Sequence, residues 1–404
     1  MGNYEASWQT GTAIEGLMKT QFEPDIKKYF ENEFWAWKTF GKDSKGILMG
    51  KGRITNKNKK NESYKTLAAY NSPLPTSGQP SFGGFEFETK RSVSAMKVYY
   101  DLVEATSEGA ESLASYLSTQ WNDTKETLLF HVNRQVYGDH TGKLCKCAAA
   151  AETVAGTTHK QKVDTTKFLR IGMDIDIHNV GGTRSVVISA IDEDINYFYF
   201  TAEDLPTTVA NDVITLDGQK DAEVEGFMSL VGSKTNTVFG IDRTAVGNEW
   251  FKPLIYDKAT KALTYNDYKK ATDTMKARSG KFTHLITTPE VRRAYAAIFL
   301  PDMRWNNPGG ALPTGYGSVT IDGQEFNVDH YCPDGTLFGV DKATFKVKHT
   351  GEPHWMKLKD SAILERSTDG TASYDAYMTY RWQFICDEPR KNFAILNIDT
   401  SAVA

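Results

Sequence analysis

Large apolar side chains crowd the first forty positions: Trp8, Ile14, Leu17, Met18, Phe22, Ile26, Tyr29, Phe30, Phe34, Trp35, Trp37 and Phe40. Those at 14, 17, 18, 22, 26, 29 and 30 keep helical spacing, and Pro24 marks a break or a fresh start. A segment this apolar must dock, on its own domain or on a neighbouring subunit. Positions 46–54 and 85–103 then read as strands, the second carrying Phe85, Phe87, Val93, Met96, Val98 and Tyr100. Between them stand Pro73, Pro75, Gly78, Pro80, Gly83 and Gly84, so the pattern predicts a long two-stranded ribbon with an irregular tip. Such a ribbon is marginal alone in water and also wants a partner surface.

The clearest periodicity follows. Ala110, Leu113, Leu117, Trp121, Thr124, Leu128, Val132 and Val136 repeat at three- and four-residue steps. Ser107 caps the start, Glu108 and Glu111 suit the positive end, and Gly138 closes the helix. The expected helix covers 107–137, about 31 residues and roughly 46 Å at the α-helical rise. That is well beyond the usual three turns, so it reads as an architectural beam.

From 139 to 225 the chain alternates with period two. Ile171, Met173, Ile175 and Ile177 alternate with Gly172, Asp174, Asp176 and His178. Further runs at 185–191, 197–200 and 212–216 are separated by turn residues, predicting a small barrel or sandwich inserted after the beam. Residues 226–350 mix helix and strand. Thr264 and Asp267 form a capping box, the stretch 282–287 is a strand, and Pro289 stands first in a helix carrying Val291, Tyr295, Ile298 and Phe299. A hairpin is expected at 319–328 around Asp322-Gly323, and long strands at 374–386 and 393–398.

Composition narrows the function classes. A chain of 404 residues implies two or three domains, or one core with large excursions. The 47 basic and 51 acidic side chains exclude a globally basic nucleic-acid coat. Four cysteines, Cys145, Cys147, Cys332 and Cys386, exclude a disulfide scaffold and fit a reducing compartment. No apolar run has bilayer-spanning length, and the first residues carry neither a secretory nor a myristoylation pattern, so no membrane association is expected. Charge is unevenly spread. Between 41 and 65 eight bases meet two acids, a local net of +6, whereas between 192 and 225 ten acids meet Lys220 alone, a net of −9. The basic segment admits three readings: a nucleic-acid footprint, a solvated edge, or half of an intersubunit contact. The acidic tract favours the last.

Catalytic motifs are missing. No GxxxxGK[ST] or HExxH occurs, and Gly309-Gly310 with Gly315 and Gly317 lacks the strand before and helix after that a phosphate cradle needs. The closest approach to GxSxG, residues 79–83, has Gln79 where glycine is required. Cys145-Lys146-Cys147 with His140 and His159 offers soft ligands at a spacing no usual zinc template has, leaving a metal there an open alternative. Asp174–Asn179 lacks the glycine and glutamate of a calcium loop and reads as the solvent face of a strand. No catalytic residue, cofactor or metal ligand is assigned, and no enzymatic activity is expected.

Taken in order, the parts are a docking arm, a ribbon, one long helix, a β-rich insertion, an α/β region and closing strands. This order resembles the major capsid proteins of tailed bacteriophages with the HK97 fold. The resemblance spans nearly the whole chain and is most telling at 282–299, at 321–340 and at 374–389. It implies an α+β, HK97-like capsid fold. The implied divisions are an N-terminal arm over 1–40, an E-loop ribbon with P-domain strands over 41–104, and a spine helix over 105–138. A β-rich insertion over 139–225, an A domain over 226–345 and closing P-domain strands over 346–404 complete them.

The resemblance further implies a shell subunit that joins copies of itself in pentamers and hexamers, forming an icosahedral head around double-stranded DNA. It would be assembled in the host cytoplasm and located in the virion. The ribbon begins by about residue 45, which leaves no room for the cleaved N-terminal scaffolding domain that some members carry. A separate scaffolding protein, a portal, decoration proteins and packaged DNA on the inner face are therefore the implied partners. The expected contact residues are Trp8, Phe22, Trp35, Lys51, Arg53, Lys57, Lys59, Lys60, Trp305 and Tyr316, with 306–317 lining the capsomer axis. Nothing identifies an asparagine to pair with the ribbon lysines in a covalent cross-link. The rival reading is a phage nucleic-acid-binding protein using 42–65.

Overall fold

A computed structural model describes residues 18, 22–59, 63–68, 72–99, 110–179, 182–299, 320–321, 324–357, 363–367 and 372–401. The chain divides into two compact units. One comprises Met1–Val93, Leu230–Glu365 and Ala376–Ala404; the other comprises Ser94–Ser229 and Arg366–Asp375.

In the first unit, one sheet is built around Phe345–His349, which lies antiparallel to Ser373–Cys386 and parallel to Lys42–Asp43. The apolar N-terminal segment docks on this sheet. Pro24 stands in the first turn of helix Glu23–Glu33, as a residue with fixed φ and no amide hydrogen suits. Phe34 then takes an extended conformation, with ψ of 96°, and re-aims the chain into the short helix Trp35–Phe40. Both helices thereby present aromatic rings to the long closing strand. Phe30 and Trp37 lie 5.7 and 5.4 Å from Tyr380, and Phe34 lies 5.6 Å from Trp382. Phe40 lies 5.3 Å from Phe345 and 5.5 Å from Phe384. Trp37 donates its indole N–H to the Tyr380 hydroxyl at 2.8 Å, so the buried polar ends satisfy each other.

Met18, Phe22, Ile26, Phe30, Phe34, Ala36, Trp37 and Phe40 are all buried. Each large ring removed from water contributes about 2–3 kcal/mol, far more than the exposed ion pairs nearby. Of the two docking surfaces the sequence left open, the described residues, Met18 and Phe22–Phe40, use their own sheet. The physical reason is the row of alternate aromatics on Ser373–Cys386, which sequence periodicity did not pair with them.

A second sheet in the same unit has the order Leu254–Lys261, Phe393–Ile398, Leu337–Val340, His284–Thr287, Gln324–Val328, Thr320–Ile321. Helices Tyr265–Ala277 and Pro289–Phe299 accompany it, burying Tyr268, Met275, Val291 and Tyr295 with Leu285, Leu337, Phe393 and Ile395. The capping box forms as expected: the Thr264 hydroxyl accepts from the Asp267 amide, and the Asp267 carboxylate accepts from the Thr264 amide. Gly339 admits no side chain, since a Cβ there would stand 2.1 Å from the Phe393 ring.

The second unit holds the long helix, described over Ala110–Tyr137, while the expected first residues and their cap, 107–109, lie outside the described residues. The predicted stripe is buried at Leu117, Trp121, Thr124, Leu128, Val132 and Val136. Its last turns are enclosed all round, with Asn133, Arg134, Gln135 and Tyr137 buried as well. Gly138 ends the helix through a short-range bond from its amide to the Gln135 carbonyl at 3.1 Å.

The inserted strands pair in the order Lys143–Lys146, Val213–Leu216, Asp174–Asn179, Gly182–Asp192, Tyr197–Thr201, Thr158–Lys162, Glu152–Ala155. Gly182–Asp192 serves two neighbours, pairing with Asp174–Asn179 through residues 182–187 and with Tyr197–Thr201 through Ile188 and, past a bulge, residues 190–192. A Cys147–Val163 β-bridge, with the Ala148 amide donating to the Lys162 carbonyl and the Asp164 amide to the Lys146 carbonyl, joins the two ends. The sheet therefore closes into a small barrel, with Glu152–Ala155 added outside the closure. Its interior holds Leu144, Cys145, Ile175, Ile177, Val186, Ile188, Phe198, Phe200 and Ile214. The strand expected from 171 starts only at Asp174, and Ile171 is exposed in the preceding turn.

Candidate intersubunit surfaces

The ribbon is the strand pair Lys51–Lys59 and Ser81–Glu88. It starts a few residues later than the spacing predicted, because Met49-Gly50 makes a tight turn after Ile47–Leu48. The expected second strand is likewise split at Thr89, whose amide and hydroxyl both donate to the Gly50 carbonyl, at 2.7 and 2.9 Å. Phe85 and Phe87 point inward and are 3% exposed. The Phe87 ring fills the space over Gly52, where a Cβ would stand 2.3 Å from it. Beyond this root the apolar side chains face outward: Phe82 is 67% exposed, Leu74 79% and Tyr64 86%. Leu48 and Met49, at the tight turn, are 80% and 92% exposed.

Register rearranges the charge that a linear count makes uniform. Lys51 stands opposite Glu88 and Arg53 opposite Glu86, whereas Lys57 stands opposite Phe82 and Lys59 opposite Ser81. Cross-strand opposite charges attract, so the positive character shifts from the ribbon's root toward its outer half. Lys42 lies outside the ribbon, paired with Glu31 at 2.7 Å and Glu352 at 3.2 Å and set over the Trp37 ring. Lys348, nearly buried, reaches Asp43 at 2.7 Å and the Lys45 carbonyl at 2.8 Å. Burial works to raise the Asp43 carboxyl, but the hydrogen bonds from Lys348 and the Lys45 amide outweigh it and hold the group below its ordinary value.

Six of the ten predicted contact residues can be located. Trp8, Lys60, Trp305 and Tyr316 lie outside the described residues, as does the 306–317 loop. Lys51 and Arg53 are exposed on the ribbon, and the backbones of Lys57 and Lys59 continue it. Trp35 is half-buried, edge-on to Phe40 at 5.4 Å. Phe22 is buried by its own chain. Sequence reasoning missed Leu48 and Met49, and it missed Glu86 and Glu88 as partners of the basic strand. Only the alternation of 81–88, combined with a hairpin register, carries that last signal.

The acidic tract divides by role. Glu193, Asp194, Glu203, Asp204, Asp217 and Asp221 are exposed, whereas Glu223 and Asp212 are buried. Glu223 pairs with Arg134, and Asp212 accepts from the Val209 amide at 2.8 Å. The tract therefore offers less free charge than its sum of −9 implies.

The residues that offered soft ligands lie within the insertion. Cys145 and Cys147 belong to the barrel core, and His159 contacts the Thr153 hydroxyl and the Ala202 carbonyl, at 3.1 and 3.2 Å. Burial raises both thiols, Cys147 to about 12. Asp176 is not on a solvent face: it is buried, accepting from Ser185 at 2.6 Å and from the Gly218 amide at 2.9 Å. These bonds explain its position between the buried Ile175 and Ile177, since a buried carboxylate needs donors. No helix among the described residues is long and apolar enough to cross a membrane.

No family model and no curated protein matches the sequence. Among solved structures, the cyanophage A-1(L) capsid asymmetric unit aligns with a TM-score of 0.55 at 10% identity, covering 90% of this chain and 92% of that one. The capsid of a native GTA particle aligns at 0.48 with 9% identity, over 90% of each chain. The procapsid of satellite phage P4 aligns at 0.46 with 8% identity, over 93% of this chain and 90% of that one. The first of these carries the assignment of fold.

Proposed function

We propose that this chain, which has the α+β HK97-like capsid fold with an inserted β-rich domain, is the major shell subunit of a tailed-phage head. It assembles through pentamers and hexamers into an icosahedral container for double-stranded DNA. The ribbon carries this reading. Its root is tied into the chain by Phe85 and Phe87, while Phe82, Leu74 and Tyr64 stand uncovered along its outer part. Uncovered apolar side chains grouped on one projection mark an interaction surface. Head-to-tail contacts that close around five- and six-fold axes provide the cover, each copy's ribbon lying on the next.

In this reading Trp8, Trp35, Lys51, Arg53, Lys57, Lys59, Lys60, Trp305 and Tyr316 contact neighbouring copies, and 306–317 lines the capsomer axis. The divisions at 1–40, 41–104, 105–138, 139–225, 226–345 and 346–404 serve as arm, ribbon, spine, insertion, A domain and closing strands. A separate scaffolding protein, a portal and decoration proteins complete the set of partners, with assembly in the host cytoplasm and the product in the virion. The role is structural, not catalytic. The nucleic-acid footprint at 42–65 is disfavoured because Lys42 is engaged by Glu31 and Glu352, while Lys51 and Arg53 face Glu88 and Glu86.

Sedimentation and negative-stain microscopy of the purified chain, over a range of concentration and ionic strength, test the proposal. Capsomers or closed shells are expected. A compact monomer under every condition, binding DNA with a steep salt dependence, overturns it in favour of the nucleic-acid reading.

A further inference from the structure

Phe239 occupies the turn between Thr237–Val238 and Ile241–Asp242, with φ of +50°, and Gly240 follows at +76°. Two successive left-handed residues are what a two-residue hairpin turn demands, but asparagine or glycine normally takes the first place. A bulky side chain there is strained, and the strain persists only where the surroundings over-determine it. Here the surroundings are the ribbon. The Phe239 ring lies flat on Phe85, with centroids 5.0 Å apart and planes 7° from parallel. Phe85 also meets Phe251 at 5.3 Å, and Phe251 faces the Arg243 guanidinium at 5.1 Å. Arg243, fully buried, donates to the carbonyls of Ser233 and Leu230 at 2.7 Å each and to the Asn236 side chain at 2.8 Å. The Phe85 socket therefore rests on a rigid base.

Phe85 is also the outermost buried aromatic of its strand. Phe82 is 67% exposed, and Gly83-Gly84 separates the two. A Cβ at Gly84 would stand 2.7 Å from the Ile54 carbonyl, so that glycine is required by the close strand pairing itself.

We infer that Phe239 is a clamp that holds the ribbon's root, so that Gly83-Gly84 becomes the pivot from which the outer ribbon is aimed at a neighbouring copy. The neighbouring copy rests on the function proposed above; the clamp itself is a property of the single chain.

Hydrogen exchange on the purified full chain separates the two. Phe239→Gly keeps the left-handed turn without its strain and removes the ring; Phe239→Leu keeps apolar contact without stacking. In both, amides of residues 51–57 and 82–88 should exchange at least tenfold faster, while those of 284–287 and of the barrel stay within twofold of the parent. Unchanged ribbon exchange, or equal acceleration throughout the chain, overturns the clamp. Should Phe239→Gly fail to fold, Phe239→Leu carries the same comparison. Where the parent forms shells, Phe239→Gly shells should lose uniform diameter, and uniform shells overturn the aiming role. Where the parent forms neither capsomers nor shells under any condition, the capsid proposal fails and ribbon exchange still decides the clamp.

Discussion

Arg134, near the end of the long helix, is paired with Glu223 where the chain leaves the barrel, and the two side chains are 4% and 3% exposed. An ion pair so deeply buried is costly to half-remove, because the remaining charge has lost its counter-ion. Glu223→Leu or Arg134→Met should each destabilise this unit by about 3–5 kcal/mol, and the two together should recover much of that loss. Hydrogen exchange of barrel amides measures all three variants. Additive losses in the double variant would contradict the pairing argument.

His131, on the same helix, supplies a pH dependence. Burial pushes its imidazole down to about 3 from 6.5, with the positive charges of Arg134 and Arg170 adding to the effect. The folded state thus binds a proton less readily than the unfolded chain. The stability due to neutral His131 is fully present above pH 6.5 and is lost as pH falls through the interval down to about 3. The slope should approach 1.4 kcal/mol per pH unit, roughly the limit for one proton. His131→Gln should flatten it, which denaturant titrations between pH 7 and about 4 will reveal.

The aromatic cluster under the closing strand makes Met18 and Phe22–Phe40 part of the fold. Phe34→Ala should cost about 3–5 kcal/mol, as removal of a buried ring does. Deletion of residues 1–39 should abolish the near-ultraviolet circular dichroism of this unit along with assembly. A truncated chain with a parent-like melting transition would return the segment to the role of a detachable arm.

Buried thiols give a chemical readout. Burial raises Cys145, Cys147 and Cys386, Cys147 to about 12. A disulfide reagent at pH 8 should therefore leave all three unmodified in the native protein and label them on addition of urea, because the thiolate is the reactive form. Rapid native labelling of Cys145 or Cys147 would show that the barrel interior is open.

The ribbon's outer face can be altered without touching the core. Phe82→Asp and Leu74→Asp should change monomer stability by less than about 0.5 kcal/mol, as surface substitutions do, while preventing shell formation. Lys57→Glu with Lys59→Glu should weaken assembly most at low ionic strength, where exposed charges act furthest. Normal shells from all these chains would remove the ribbon from the proposed contacts.

Several elements were legible along the chain because their cause is local. The long helix follows from apolar residues at three- and four-residue steps between Leu117 and Val136, and its bonds close within one turn. Alternation such as Ile175-Asp176-Ile177 marks strands, since successive side chains leave a strand on opposite faces. The order of arm, ribbon, helix, insertion and closing strands follows from these patterns and already pointed to the capsid fold. Tertiary structure alone decided which surfaces were paired. Trp37 and Tyr380 are 343 positions apart, Arg134 and Glu223 are 89 apart, and Asp176 found its donors on Ser185 and Gly218. Lys51 met Glu88 only through the ribbon's register. Periodicity states that a face must be buried or a charge must be answered; it carries no information about which distant segment does so. That choice depends on packing shape and strand register, which exist only once the chain has folded.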